Sequence, residues 1–167
     1  LLGPGAARNA LDCALWDLEA QQQGVPLWQL IGLKKEPQAL VTAFTISLGE
    51  PEVMEAAAEK AASKGYTLLK LKLTGELELD LARVDAVRAA RPDAWIGVDA
   101  NRGFGIGELD ALVRGLVEAK VALLEQPLAR GREADLQGYV SPIPIAADES
   151  ALTLDEVPGL VGRFDIV

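Results

Sequence analysis

Six short apolar runs, separated by amphipathic stretches, constrain this chain more than any other feature. They are "ALVTAFTI" (39–46), "TLLKLKL" (67–73), "AWIGVDA" (94–100), "VALLEQ" (121–126), "IPIAADE" (143–149) and "FDIV" (164–167). Short apolar runs bounded by turn signals read as buried strands, and the stretches near 51–64, 77–91, 107–119, 132–139 and 153–161 read as helices between them. Strands that alternate with helices and stay apolar through much of their length predict a parallel α/β sheet. No glycine-rich phosphate loop follows the first run, and "GFGIGE" (103–108) has the wrong glycine spacing for a dinucleotide site, so a barrel-type sheet is expected over a nucleotide-binding one. Upstream, Ala10, Leu11, Ala14, Leu15 and Leu18 recur at helical spacing, with Gly24 as a stop and Pro26 beyond, which predicts a helix over 6–23. The polar connector "GLKKEPQ" then divides the chain into an N-terminal piece, 1–36, and a β/α piece, 37–167.

The polar residues that interrupt these runs fall in a pattern. In a parallel β/α sheet the functional groups collect at the carboxyl ends of the strands. Here the third run ends in Asp99, with Asn101 following, the fourth in Glu125 and Gln126, and the fifth in Asp148 and Glu149. Asp99 and Glu125 are 26 residues apart and Glu125 and Asp148 are 23 apart, close to one strand-helix unit each, so adjacent strand ends bring the three carboxylates together. A carboxylate on an apolar strand is costly unless it is paired or bound to a cation. Three oxygen donors without imidazole or thiolate suit a hard cation, with Mg²⁺ first and Mn²⁺ next. If the fifth strand continues, Asp148 and Glu149 point to opposite sides, and Asp148 is taken as the ligand. Asn101, two residues after Asp99, is expected on the same face, beside the metal or its water.

The second run carries two lysines. Strand side chains alternate, so Lys70 and Lys72 share one face while Leu69, Leu71 and Leu73 take the other. A lysine serves as a base near neutral pH only when burial, a second ammonium or a cation pulls its pKa down. Lys70 and Lys72 beside a divalent ion therefore suit removal of a proton alpha to a carboxylate, with the ion stabilising the enediolate. The alternative is that both lysines pair structurally with the carboxylates.

Composition narrows the chemistry further. The chain has no histidine, which removes Ser-His-Asp, Cys-His and imidazole-zinc sites and leaves lysine and carboxylate to act. A net charge of −9 argues against a nucleic-acid or anionic-membrane surface, and no apolar run is long enough to span a bilayer. The lone Cys13 excludes a disulfide framework, fits a reducing cytoplasm and is expected to be a buried apolar thiol. The sequence opens on Leu1 without a signal-peptide pattern, which suggests a window on a longer chain.

Taken together, "LLKLKL", "IGVDANRGF", "LLEQPL" and "PIPIAADES", in that order, resemble the enolase superfamily in its muconate-lactonizing branch, and most closely its dipeptide epimerases acting on L-Ala-D/L-Glu. "AARNALDCALWDLEAQ" is similar to the last helix of that family's α+β capping domain, and "VTAFTISLGEPEVM" to its first barrel strand and loop. The resemblance implies a partial TIM-like (β/α)7β barrel, about strands one to six, behind the end of the capping domain. It implies Asp99, Glu125 and Asp148 as Mg²⁺ ligands, Lys72 as the general acid/base, Lys70 as its electrostatic partner, and Thr45 and Ser47 as pocket-lining residues. Asn101 and Glu149 would stand beside that set. The implied substrate is a small carboxylate such as a dipeptide, and the implied assembly a homo-oligomer.

In this family the second lysine, on the opposite face, stands at the end of strand six, beyond Val167, and strands seven and eight carry an aspartate-rich motif for the dipeptide's amino terminus. A complete barrel takes about 250 residues. The epimerase reading therefore applies to a parent protein, and the 167 residues alone are expected to fold poorly, with open sheet edges, and to be inactive. A cycloisomerase or o-succinylbenzoate synthase, a non-catalytic metal-binding remnant and a generic α/β domain are the alternatives.

Overall fold

A computed structural model describes residue 3 and residues 5–167. The chain divides into two compact units, Leu1–Val41 and Thr42–Val167.

In the first unit, helix α1 spans Ala6–Gln23 and a single turn, α2, spans Leu27–Leu30. Gly24 ends α1 in the left-handed region, φ 66°, a conformation that side chains with a Cβ rarely adopt. Its N–H donates to Gln21 O at 3.2 Å, and that of Val25 donates to Ala20 O at 3.1 Å. The expected burial of Cys13 is overturned: it is exposed, its Sγ lying 3.9 Å from Asn9 Oδ1 one turn back. The reason is the helix as a whole, of which Ala20 is the buried residue while Leu11, Leu15 and Leu18 are each about half exposed.

The second unit is a five-stranded parallel sheet in sequence order, with β1 Phe44–Ile46, β2 Leu68–Lys72, β3 Trp95–Asp99, β4 Leu123–Glu125 and β5 Ile145–Ala146. Helices α3 (Pro51–Ser63), α4 (Leu77–Ala90) and α5 (Ile106–Glu118) make the crossovers. The sheet is that of a partial (β/α) barrel, with helices covering one face. Ile46, Leu69, Leu71, Ile96, Val98 and Leu124 are buried on that face with Met54 and Ala58 of α3, Val84 and Val87 of α4, and Leu109, Leu112 and Leu116 of α5. Each such aliphatic side chain contributes roughly 1.5–3 kcal/mol on burial. Among the described residues, no helix is long and apolar enough to cross a membrane.

The structure shortens several expected elements. The first run pairs only over 44–46, and the last meets β5 through a single parallel bridge, Ala146↔Ile166. The fifth run keeps two strand residues because Pro142 and Pro144 have no N–H to give a ladder. The segments at 132–139 and 153–161 form 3₁₀ turns, Glu133–Leu136 and Leu154–Leu160, the second containing Pro158.

Buried polar side chains hold the loops above the strand ends. Asp80, with no exposed surface, accepts from the N–H groups of Thr74 and Gly75, each at 2.8 Å, from the Thr74 hydroxyl at 3.0 Å and from Arg83 at 2.8 Å. Arg83 also donates to Gly49 O at 2.9 Å, linking the loops after β1 and β2. The loops after β2 and β3 meet at two glycines, since a Cβ on Gly75, φ +93°, would stand 2.4 Å from Gly103 O. At the other end of the sheet Arg88 donates to the carbonyls of Ala119, Arg91, Ala94 and Lys120, closing the ends of α4 and α5.

Asp80→Ala strands the Arg83 guanidinium beside two orphaned loop amides, and we expect a loss of about 3–5 kcal/mol in urea unfolding. A loss below about 1 kcal/mol would contradict this account of the loops.

Candidate metal and proton-transfer site

Strand register alone assembles most of the site. Leu71 lies beside Val98, and one residue later Lys72, Asp99 and Glu125 stand side by side across β2, β3 and β4, with Ala146 of β5 completing the row. One layer below, Thr45, Lys70, Gly97 and Leu123 form a second row on the same face. Gly97 keeps that layer low, for a Cβ there would stand 2.7 Å from the Trp95 ring. The face opposite the helices thus carries both lysines and two of the three carboxylates. Asp148, two residues past β5, supplies the third.

One oxygen each of Asp99, Glu125 and Asp148 can be chosen so that all three lie within 4.8 Å of one another. Asp99 is fully buried and accepts from Lys72 Nζ at 2.6 Å, from Lys70 Nζ at 3.1 Å and from the Asn101 N–H at 3.0 Å. Lys70 reaches both oxygens of Glu125, at 2.8 and 2.6 Å. Burial pushes the Asp99 carboxyl up, but Lys72, the Asn101 N–H and Lys70 outweigh it and hold its pKa below the usual range. Glu125 is held above its usual range, by burial first and by the charges of Asp99 and Asp148, against the hydrogen bond from Lys70. A divalent cation at this cluster would offset the mutual repulsion of the three carboxylates. With three oxygen donors and no soft ligand, the set fits a hard divalent ion.

Lys70 does not show the lowered pKa that the sequence suggests. Burial lowers that of Lys70, but Glu125 and Asp99 more than compensate and raise it. Each ammonium is here a direct counter-ion of the carboxylates, the pairing named above as the structural alternative. Those oxygens are the ones a cation would claim, so cation binding and lysine pairing compete for the same atoms.

The remaining predicted residues are placed as follows. Thr45 is exposed beside Lys70 in register, and Ser47 is exposed just past β1. Asn101 is not on a continuing strand face, because β3 ends at Asp99 and Asn101 turns with φ 46°; its backbone N–H holds Asp99. The opposite-faces argument for Asp148 and Glu149 also fails, since β5 stops at Ala146. Asp148 nonetheless joins the carboxylate cluster, and Glu149 pairs with Arg102, 3.1 Å away. Sequence reasoning assigned no role to Gln126, a fully buried amide flanking Glu125, although its position inside an otherwise apolar "LLEQPL" was the available signal.

A parallel β/α sheet that gathers acidic oxygen donors and a lysine pair at the carboxyl ends of its strands defines the class: barrel-type β/α proteins whose strand ends could hold a hard cation. The chain belongs to the enolase superfamily, in the mandelate racemase/muconate lactonizing branch. Residues 52–163 match the family described as Enolase C-terminal domain-like, and residues 1–32 match the mandelate racemase / muconate lactonizing enzyme N-terminal domain. The chain is 42% identical over its whole length to an L-Ala-D/L-Glu epimerase of Escherichia coli (strain K12), covering 51% of that protein. It is 39% identical over 99% of its length to an N-acetyl-D-glutamate racemase of Pseudoalteromonas sp, again covering 51%. It superposes with a TM-score of 0.86, at 42% identity, on an enolase family member from Agrobacterium tumefaciens with homology to dipeptide epimerases, crystallised with sodium and L-Ala-L-Glu; the match covers 99% of this chain and 50% of that one. The chain therefore spans about half the length of the relatives it matches.

Proposed function

We propose that the protein is an Mg²⁺-dependent epimerase of dipeptides of the L-Ala-D/L-Glu type, acting by abstraction of the proton alpha to the substrate carboxylate. The observation that carries this reading is the single row Lys72, Asp99, Glu125, which sets an amine beside two carboxylates that converge with a third. Mg²⁺ held by Asp99, Glu125 and Asp148 would supply charge that stabilises the enediolate form of the substrate carboxylate. Lys72 Nζ, as the neutral amine, would take the α-proton from one face of the substrate and, as the ammonium so formed, return a proton to that face. Lys70, one layer below, adds positive charge to the same face. Thr45 and Ser47 line the pocket on the β1 side, and Asn101 and Glu149 flank the cation. Inversion needs a proton returned to the opposite face of the α-carbon, which one lysine cannot reach, so a second acid/base must face Lys72 across the substrate.

A second reading has its own support in the similarity to an N-acetyl-D-glutamate racemase. That substrate and L-Ala-Glu share one chemistry, a glutamate whose α-amine is acylated, and differ in whether the acyl group carries an ammonium. Incubating the whole protein and Mg²⁺ with L-Ala-L-Glu, L-Ala-D-Glu, N-acetyl-D-glutamate and o-succinylbenzoate precursor separates the readings. Epimer formation from both dipeptides, faster than racemisation of N-acetyl-D-glutamate, is expected. Turnover of the N-acetyl substrate alone would favour the second reading, and turnover of the precursor alone would overturn both.

A further inference from the structure

Asp148 has a weaker anchor than its two companions. Asp99 and Glu125 are the last residues of paired strands, whereas Asp148 lies two residues beyond a strand of two. Ala147 N–H still donates to Ile166 O, and the next backbone amide leaves the sheet. It is received by a side chain. Gln126 Oε1 accepts the Asp148 N–H at 2.9 Å and the Ser150 N–H at 3.1 Å, while Gln126 Nε2 donates to Leu128 O at 2.9 Å and Ser150 Oγ at 2.8 Å. Both donors and both lone pairs of the amide are used. Its orientation is fixed, since Leu128 O can only accept and the two N–H groups can only donate. Ser150 Oγ donates in turn to Glu133 Oε1 at 2.6 Å, and Glu133 is also held by the Gly131 N–H at 2.9 Å.

The main chain of Gln126 ties the same region together. Its N–H donates to Ala146 O at 2.8 Å and its carbonyl accepts the Arg102 N–H at 2.8 Å, with φ 39° turning the chain away from β4. One fully buried residue thus joins the chain just beyond β3, β4 and β5, next to the two strand-end carboxylates Asp99 and Glu125 and to Asp148 in the loop after β5.

We infer that Gln126 is the positioning residue of the cation site: its amide, pinned by Ser150, fixes Asp148 at the distance from Asp99 and Glu125 that a divalent ion requires. The inference rests on the reading of those carboxylates as the Mg²⁺ ligands. A methionine at 126 fills similar volume without either amide function, so it removes the clamp while preserving the packing.

The test is Mg²⁺ titration calorimetry on the whole protein, with thermal melting in EDTA alongside. Gln126→Met is expected to weaken Mg²⁺ binding by about 10–100-fold, the range found when a group orienting a metal ligand is lost. Ser150→Ala, which unpins the amide but leaves the core filled, is expected to weaken it several-fold and decides the matter if Gln126→Met does not fold. Arg88→Ala serves as the structural control: it lowers the melting temperature, and its Mg²⁺ affinity stays that of the unsubstituted protein. Wild-type affinity in Gln126→Met and Ser150→Ala, whatever their melting temperatures, would overturn the inference and leave the metal site standing. An unsubstituted, folded protein that binds no Mg²⁺ would overturn both.

Discussion

Lys72→Ala in the whole protein is expected to slow α-proton exchange from L-Ala-Glu substrates by about 10²–10⁴-fold, the usual contribution of a positioned general base. Mg²⁺ binding should survive the change, because Lys72 competes with a cation for Asp99 rather than helping to hold it. Lys72→Arg sharpens the result. A guanidinium keeps the positive charge against Asp99 but does not give up its proton in water, so a purely electrostatic role predicts recovery of exchange and a base predicts none. Loss of signal at the α-proton in D₂O by NMR checks both variants. Exchange within a few-fold of wild type in Lys72→Ala would remove Lys72 from the chemistry.

The second large effect is expected at Asp99. It is the carboxylate of the cluster with no exposed surface and, among the described residues, the only one paired with both lysines. In Asp99→Asn the amide preserves shape, but the charge is lost and the NH₂ group has to face either the two ammoniums that meet Oδ2 or the Asn101 N–H that meets Oδ1. Mg²⁺ affinity should fall by more than the about 10–100-fold associated with groups that merely orient a ligand. Unfolding free energy should fall by only about 1–3 kcal/mol, because both ammoniums retain partial access to water. Calorimetry and urea unfolding read the two quantities separately. A large loss of stability with Mg²⁺ affinity intact would mean that the pairing of lysine with carboxylate is structural and that the cation site is misassigned.

Much of this arrangement is legible in the sequence because parallel-strand register is a local property. The alternation in "LLKLKL" fixes which residues face the helices, and an acidic residue closing an apolar run marks a strand end. β2, β3 and β4 were therefore readable together with Lys70, Lys72, Asp99 and Glu125. β5 was readable as an element but not in extent, for Pro142 and Pro144 before it remove donors while leaving the apolar pattern intact, and Asp148 reaches the cluster through a loop. The misplaced face of Asn101 has the same origin: period-two reasoning holds only while the strand lasts, and β3 ends at Asp99. The roles of Asp80 and Gln126 escape any periodicity. Each satisfies backbone groups of loops, and in the case of Gln126 two of those groups lie 22 and 24 residues away.

The lysine electrostatics mark another limit. From the sequence, two neighbouring ammoniums suggest a lowered pKa, yet the folded chain places Lys70 against two carboxylates, and pairing wins over burial. A cation held by Asp99, Glu125 and Asp148 would compete with the lysines for those carboxylate oxygens.

The central claim, that a divalent ion held by Asp99, Glu125 and Asp148 works with Lys72 on an α-proton, is tested most directly by one measurement: α-proton exchange of L-Ala-L-Glu and L-Ala-D-Glu in D₂O, followed by NMR with the whole protein, with Mg²⁺ and after chelation. The account predicts deuterium incorporation from both epimers with Mg²⁺ and its loss in EDTA. Exchange that continues undiminished in EDTA, or its absence from a folded protein shown to bind Mg²⁺ and dipeptide, would contradict it.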